Sequence, residues 1–137
     1  MRIVVDTNVL IAALTKTRGS AAKIIEAWRQ GRVEVVSSEA TLREARLVLD
    51  GPWLARLSSR GEIDRLLREL RERSVLVPPR PIEDLPLKDQ GDLRLVEAAV
   101  AGQATYLVTA DRELLSRRGY GRTEFVTAGE MARLLPS

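Results

Sequence analysis

Short β-branched runs alternate along this chain with longer stretches in which apolar residues return every three or four positions. Ile3-Val4-Val5, residues 33–36, 74–77, 105–108 and 124–126 read as buried strands. Between them, helices are predicted over residues 9–14, over 21–29 with a stop at Gly31, and from a Ser37 or Ser38 cap to about Leu49. Gly51-Pro52 breaks that last helix, and Ile63, Leu66, Leu67 and Leu70 mark the apolar stripe of the next. Pro78-Pro79 ends the third strand, and a Pro-rich loop reaches Pro86. Asp89-Gln90-Gly91-Asp92 then opens a helix over 93–101, and a short helix follows over 112–116. Thr127-Ala128-Gly129-Glu130 is a capping box before a final helix over 131–135. Strands alternating with helices predict an α/β domain whose five strands form a parallel sheet with right-handed crossovers.

Composition narrows the chemistry. The 137 residues suit one domain spanning 1–137, with an apolar fraction of 45% and a charged fraction of 30% typical of a globular chain. No apolar run is long enough to span a bilayer, and no basic, apolar leader opens the sequence, so the expectation is a soluble cytoplasmic protein with no membrane partner. There is no cysteine and no histidine. That removes thiolate nucleophiles, thiolate zinc sites, Ser/His/Asp and Cys/His triads, and imidazole ligands. A carboxylate site for Mg²⁺ or Mn²⁺ survives this cut, as do a two-carboxylate glycosidase and a domain without catalysis. The net charge of +3 and the dominance of Arg over Lys fit a nucleic-acid partner.

Four acids then stand out: Asp6, Glu44, Asp92 and Asp111. Asp6 and Asp111 lie just past the carboxyl ends of the first and fourth strands, where parallel α/β sheets bind ligands if strand order reverses there. Asp92 heads the helix into the fourth strand, and Glu44 lies in the helix after the second. Gathered together, the four would repel one another without a cation. Taken singly, each aspartate is a helix N-cap candidate, Glu44 a solvated helix residue, and Asn8 and Thr109 turn residues. Asp89 reads as a loop acid or a supporting group. A haloacid-dehalogenase phosphatase would need an acid at Asn8, and a receiver domain an Asp where Ser37 follows Val36.

Met1-Arg2-Ile3-Val4-Val5-Asp6-Thr7-Asn8-Val9-Leu10-Ile11 resembles the opening of PIN domains, in which a strand delivers the first acid into an Asp-Thr-Asn turn. Residues 35–49 with Glu44, Asp89 to Asp92 with the helix that follows, and Tyr106-Leu107-Val108-Thr109-Ala110-Asp111 resemble the later segments, so the likeness covers nearly the whole chain. It is nearest to the VapC-like toxins of toxin–antitoxin systems. The resemblance implies a three-layer α/β/α sandwich with strand order 3-2-1-4-5 and an Mg²⁺- or Mn²⁺-dependent ribonuclease acting on single-stranded or structured RNA. It implies Asp6, Asp92 and Asp111 as metal ligands and Glu44 as a ligand, through water, or as the group orienting the attacking water. Asn8 and Thr109 would support these by hydrogen bonds, with Thr7 and Asp89 beside them. A homodimer and a cognate antitoxin are the implied protein partners. A non-catalytic PIN-like module gripping RNA or protein is the alternative, and a flap-type DNA nuclease would need more chain. Ala110 stands where Gly is common and Leu93 where a polar residue is usual, which bears on fine geometry.

Overall fold

β1 (Arg2–Val5) turns Ile3 and Val5 into one apolar core and Val4 into another. A strand buried on both faces must lie inside a sheet that helices cover on both sides. The computed structural model, which describes residues 1–78 and 80–137, has that architecture. After β1 come α1 (Thr7–Thr15), α2 (Ser20–Arg29), β2 (Glu34–Ser37) and α3 (Glu39–Leu49). A 3-10 turn (Leu54–Arg56), α4 (Arg60–Arg73), β3 (Val75–Leu76) and α5 (Gln90–Ala101) follow. The chain ends with β4 (Tyr106–Val108), α6 (Arg112–Arg117), β5 (Gly119–Tyr120), β6 (Thr123–Val126) and α7 (Ala128–Leu134).

The sheet order is β3-β2-β1-β4-β6-β5. The chain winds outward from β1 to β3, then returns to place β4 on the other side of β1. The reversal therefore falls between β1 and β4, which pair in parallel from Ile3↔Tyr106 to Val5↔Val108. α1, α2, α3, α4 and α7 pack on one face around Ile24, Trp28, Leu49, Ile63, Leu66 and Met131. α5 and α6 cover the other with Leu95, Val96 and Leu114 against Val4, Leu107 and Phe125. Each fully buried Leu or Val contributes roughly 1.5–3 kcal/mol relative to exposure, so both faces hold the sheet.

The α/β/α sandwich is as the sequence implies, with one correction. The five parallel strands keep the order 3-2-1-4-5, with β6 as the fifth, but a sixth strand, β5, pairs antiparallel on the edge. Two residues carry no periodic signal, and this strand owes its place to turns. It is entered through Arg118 at φ 65 and left through Gly121 at φ 58. The third strand is only Val75–Leu76, because Ser74 still serves as the C-cap of α4. Of the residues assigned to its end, Pro79 lies outside the described residues. α1 and α5 start earlier than the apolar pattern suggests, at Thr7 and Gln90, because polar first turns precede their apolar stripes. Of the two candidate serines Ser38 caps α3, in a box with Thr41, and the expected box of Thr127 with Glu130 caps α7.

Candidate active site

Asp6 follows the last residue of β1, and its amide donates to the Val108 carbonyl (2.9 Å), which fixes it beside the end of β4. It occupies the N-cap position of α1 but makes no side-chain cap hydrogen bond. Instead its Oδ2 accepts from the Thr109 hydroxyl at 2.7 Å and from Asn8 Nδ2 at 3.3 Å. Thr109 is fully buried and also accepts from the Asp111 amide through the same hydroxyl oxygen (3.0 Å). One hydroxyl thus joins the first acid to the last. Asp111 caps α6, its Oδ1 accepting from the Leu114 amide at 3.0 Å. Ala110 needs no left-handed backbone, since among the described residues only Gln103 and Arg118 have positive φ outside glycine.

α5 brings the other pair. Asp89, not Asp92, is its N-cap, accepting from the amides of Gly91 (2.6 Å) and Asp92 (3.2 Å). Asp92 is thereby released from capping and lies buried in the first turn, 9 % exposed. Glu44 is exposed on α3, yet its carboxylate reaches α5: a Cβ built on Gly91 would stand 2.7 Å from both Glu44 oxygens. Gly91 is the residue that sequence reasoning missed. Its signal is a glycine inside a helical first turn, where close approach is the usual reason to accept its low helix propensity. Thr7 opens α1 beside Asp6.

The electrostatics are one-sided. Among the described residues no Lys or Arg forms an ion pair with Asp6, Glu44, Asp89, Asp92 or Asp111. Burial, with the charges of Asp111, Asp6, Asp89 and Glu44 added, pushes Asp92 up to about 7. Burial raises Asp6 as well, against the Thr109 hydrogen bond, and raises Glu44, beside Asp89 and Asp6. The donor set is carboxylate and hydroxyl oxygen, which matches hard Mg²⁺ or Mn²⁺ and suits no soft metal. The placement is open: among the described residues no three acidic side chains are already drawn together to hold one ion. Mg²⁺ commonly keeps several waters and takes one or two carboxylates, so an open oxygen set fits it better than a closed cage would. A groove of about 710 Å³ lies by Leu115, Arg118, Arg122 and Thr127, and none of the four acids lines it.

A family model described as PIN domain matches residues 2–113. This chain belongs to the PIN domain family. The match spans all four acids and ends before β5. The uncharacterized protein MJ1680 of Methanocaldococcus jannaschii is 26% identical over 119 residues, covering 86% of this chain and 76% of that protein. PAE2754 from Pyrobaculum aerophilum has a similar fold, with a TM-score of 0.61 and 19% identity over 98% of this chain and 88% of that one. So does VapBC2 from Rickettsia felis, solved bound to a DNA fragment from their promoter, with a TM-score of 0.57 and 15% identity over 93% of this chain and 98% of that one. At these identities the two structures support the PIN fold of the chain. No helix among the described residues is long and apolar enough to cross a membrane.

Proposed function

We propose that this PIN domain is an Mg²⁺- or Mn²⁺-dependent endoribonuclease and the toxin of a toxin–antitoxin pair. The observation that carries this reading is the set of acids at the strand reversal that no Lys or Arg among the described residues pairs, openly spaced, with Asp92 raised to about 7 among like charges. Asp6, Asp92 and Asp111 would hold the ion, with Glu44 reaching it through water. When bound, the ion supplies the positive charge that lets these acids ionise together, and Lewis-acid assistance to a phosphodiester and a water.

The chain's own residues do the rest. Thr109 and Asn8 occupy Oδ2 of Asp6 and leave Oδ1 without a side-chain partner. The Leu114 amide does the same for Asp111, holding Oδ1 and leaving Oδ2. Glu44, made more basic by partial desolvation of its carboxylate beside α5 and by the charges of Asp89 and Asp6, accepts a proton at its carboxylate from the attacking water. The water oxygen bonds to phosphorus, the bond to the leaving oxygen breaks, that oxygen takes a proton from solvent, and Glu44 gives its own back to solvent.

PIN domains are generally nucleases, and the fold shared with VapBC2 supports a cognate antitoxin as partner. A homodimer in the cytoplasm fits the same reading. The open spacing of the acids favours a second one, a non-catalytic module that binds RNA or protein. One assay separates them: incubation with single-stranded RNA and Mn²⁺, wild type beside Asp6→Asn. The nuclease reading expects cleavage that EDTA stops and that Asp6→Asn lowers about 100-fold or more. RNA binding that persists in EDTA, with equal turnover or none in both proteins, would leave the binding module standing.

A further inference from the structure

Between β3 and α5 the described residues of 77–89 form neither helix nor strand. Pro78, Pro81 and Pro86 offer no backbone donor, so this segment cannot be held by a ladder of its own. The Val77 amide still donates to the Ser37 carbonyl (3.0 Å), and from Ile82 to Lys88 side chains hold the segment at every second residue. The Ile82 amide donates to Glu97 Oε2 of α5 at 3.1 Å. The Asp84 carboxylate accepts from the Tyr120 hydroxyl of β5. The Pro86 carbonyl accepts from Arg117 Nη2 of α6 at 3.0 Å, and the Lys88 amide donates to Glu113 Oε1 of α6 at 3.0 Å. Leu85 and Leu87 pack into the core beneath α5 and α6.

Two of the four anchors come from α6, the helix that Asp111 caps. They grip the residues just ahead of Asp89, which caps the helix carrying Asp92. The acids of α5 and the acid of α6 belong to different chain segments, and nothing in their own hydrogen bonds joins them. Glu113 and Arg117 supply that join.

We propose that α6 is a brace across the acid site: Glu113 and Arg117 are positioning residues that hold residues 86–88, and with them Asp89 and Asp92, in register with Asp111. The coupling to metal rests on the reading of the acids as an ion site. The brace itself does not.

Glu113→Gln keeps a carbonyl oxygen for the Lys88 amide and loses the charge, whereas Glu113→Ala loses both. The brace predicts that Glu113→Ala weakens Mn²⁺ binding about 10-fold, read by calorimetric titration of the full chain, while Glu113→Gln stays near wild type. Hydrogen exchange at Lys88, Gly91 and Asp92 should speed up in Glu113→Ala and not in Glu113→Gln, and Arg117→Ala should act in the same direction. If Glu113→Gln binds Mn²⁺ as poorly as Glu113→Ala, Glu113 acts through its charge and the brace is wrong. Unchanged exchange in Glu113→Ala overturns it too. Should wild type bind no Mn²⁺, the metal reading fails, and the exchange comparison still decides the brace.

Discussion

Glu69 in α4 and Asp92 in α5 are both carboxylates largely withdrawn from water, but their neighbours carry opposite charge. Glu69 is gripped bidentately by Arg29, whose Nε and Nη2 approach its two oxygens at 2.8–3.1 Å. Arg73 and Arg65 add nitrogens at 3.5 and 3.6 Å, and Arg73 also lies over the Trp28 ring. Asp92 is surrounded by Asp111, Asp6, Asp89 and Glu44. A chain with this much arginine has the means to neutralise both places and does so at only one. The α2–α4 seam is built to stay folded; the strand-reversal edge is left with a charge deficit that a cation would fill.

The largest effect expected from breaking this contrast falls on the seam. Glu69→Ala leaves Arg29 half-buried with no partner, and removing one member of a buried pair is more harmful than the pair is helpful. Some solvent reaches both side chains, which are 19% and 13% exposed, so the loss should be about 2–3 kcal/mol by urea unfolding. Mn²⁺ binding should be untouched. A loss under about 0.5 kcal/mol would place Glu69 among ordinary surface pairs.

The acid edge should behave the opposite way. Asp92 titrates near 7 when folded and near its ordinary 3.8 when unfolded. Through that window the native state binds the extra proton, so stability is highest at its acid end and falls as pH rises. Asp6 and Glu44 are raised too and add to the same fall, whereas Glu39, Asp50 and Glu130 are lowered by arginine and backbone partners and act mainly below pH 5. In EDTA the wild type should lose roughly 1–3 kcal/mol between pH 5 and pH 8. Asp92→Asn should flatten this slope and be the more stable protein at pH 8. A wild-type profile that rises over the same range would remove the case for uncompensated charge.

How far the sequence discloses this contrast depends on locality. Asp6 is legible because a β-branched strand stops abruptly at it, and Asp111 because it comes three residues past the end of β4, the neighbour of β1 at the strand reversal. Asp92 is legible as an acid but not as a buried one. Asp89 and Asp92 both stand at the start of α5, and only the folded chain shows that Asp89, not Asp92, takes the cap. Glu44 reads as a solvated helix residue because its approach to Gly91 joins segments far apart in sequence. The anchors at Ile82, Asp84, Pro86 and Lys88 are equally non-local, and β5 is too short for any pattern.

Gly91 tests the smallest of these effects, the placement of Glu44. In a helical first turn, glycine costs roughly 0.5–1 kcal/mol relative to alanine, so Gly91→Ala should gain stability if nothing opposes it. A Cβ there would meet both Glu44 oxygens at 2.7 Å and Asp89 Oδ1 at 2.9 Å. The Glu44 carboxylate is the free end of an exposed side chain and can swing away, whereas Asp89 Oδ1 is held by the Gly91 and Asp92 amides and has to shift within the cap, which offsets part of the gain. Relief of that kind removes Glu44 from the acid edge. The melting temperature should therefore move by only a few degrees in either direction, while Mn²⁺ affinity falls several-fold. If Glu44 is merely a solvated residue of α3, Glu44→Gln will leave Mn²⁺ affinity where it was, and any loss in Gly91→Ala comes from the Asp89 cap. Gly91→Ala and Glu44→Gln together thus separate the two readings of Glu44, since only an acid that serves the ion makes both variants weaker binders.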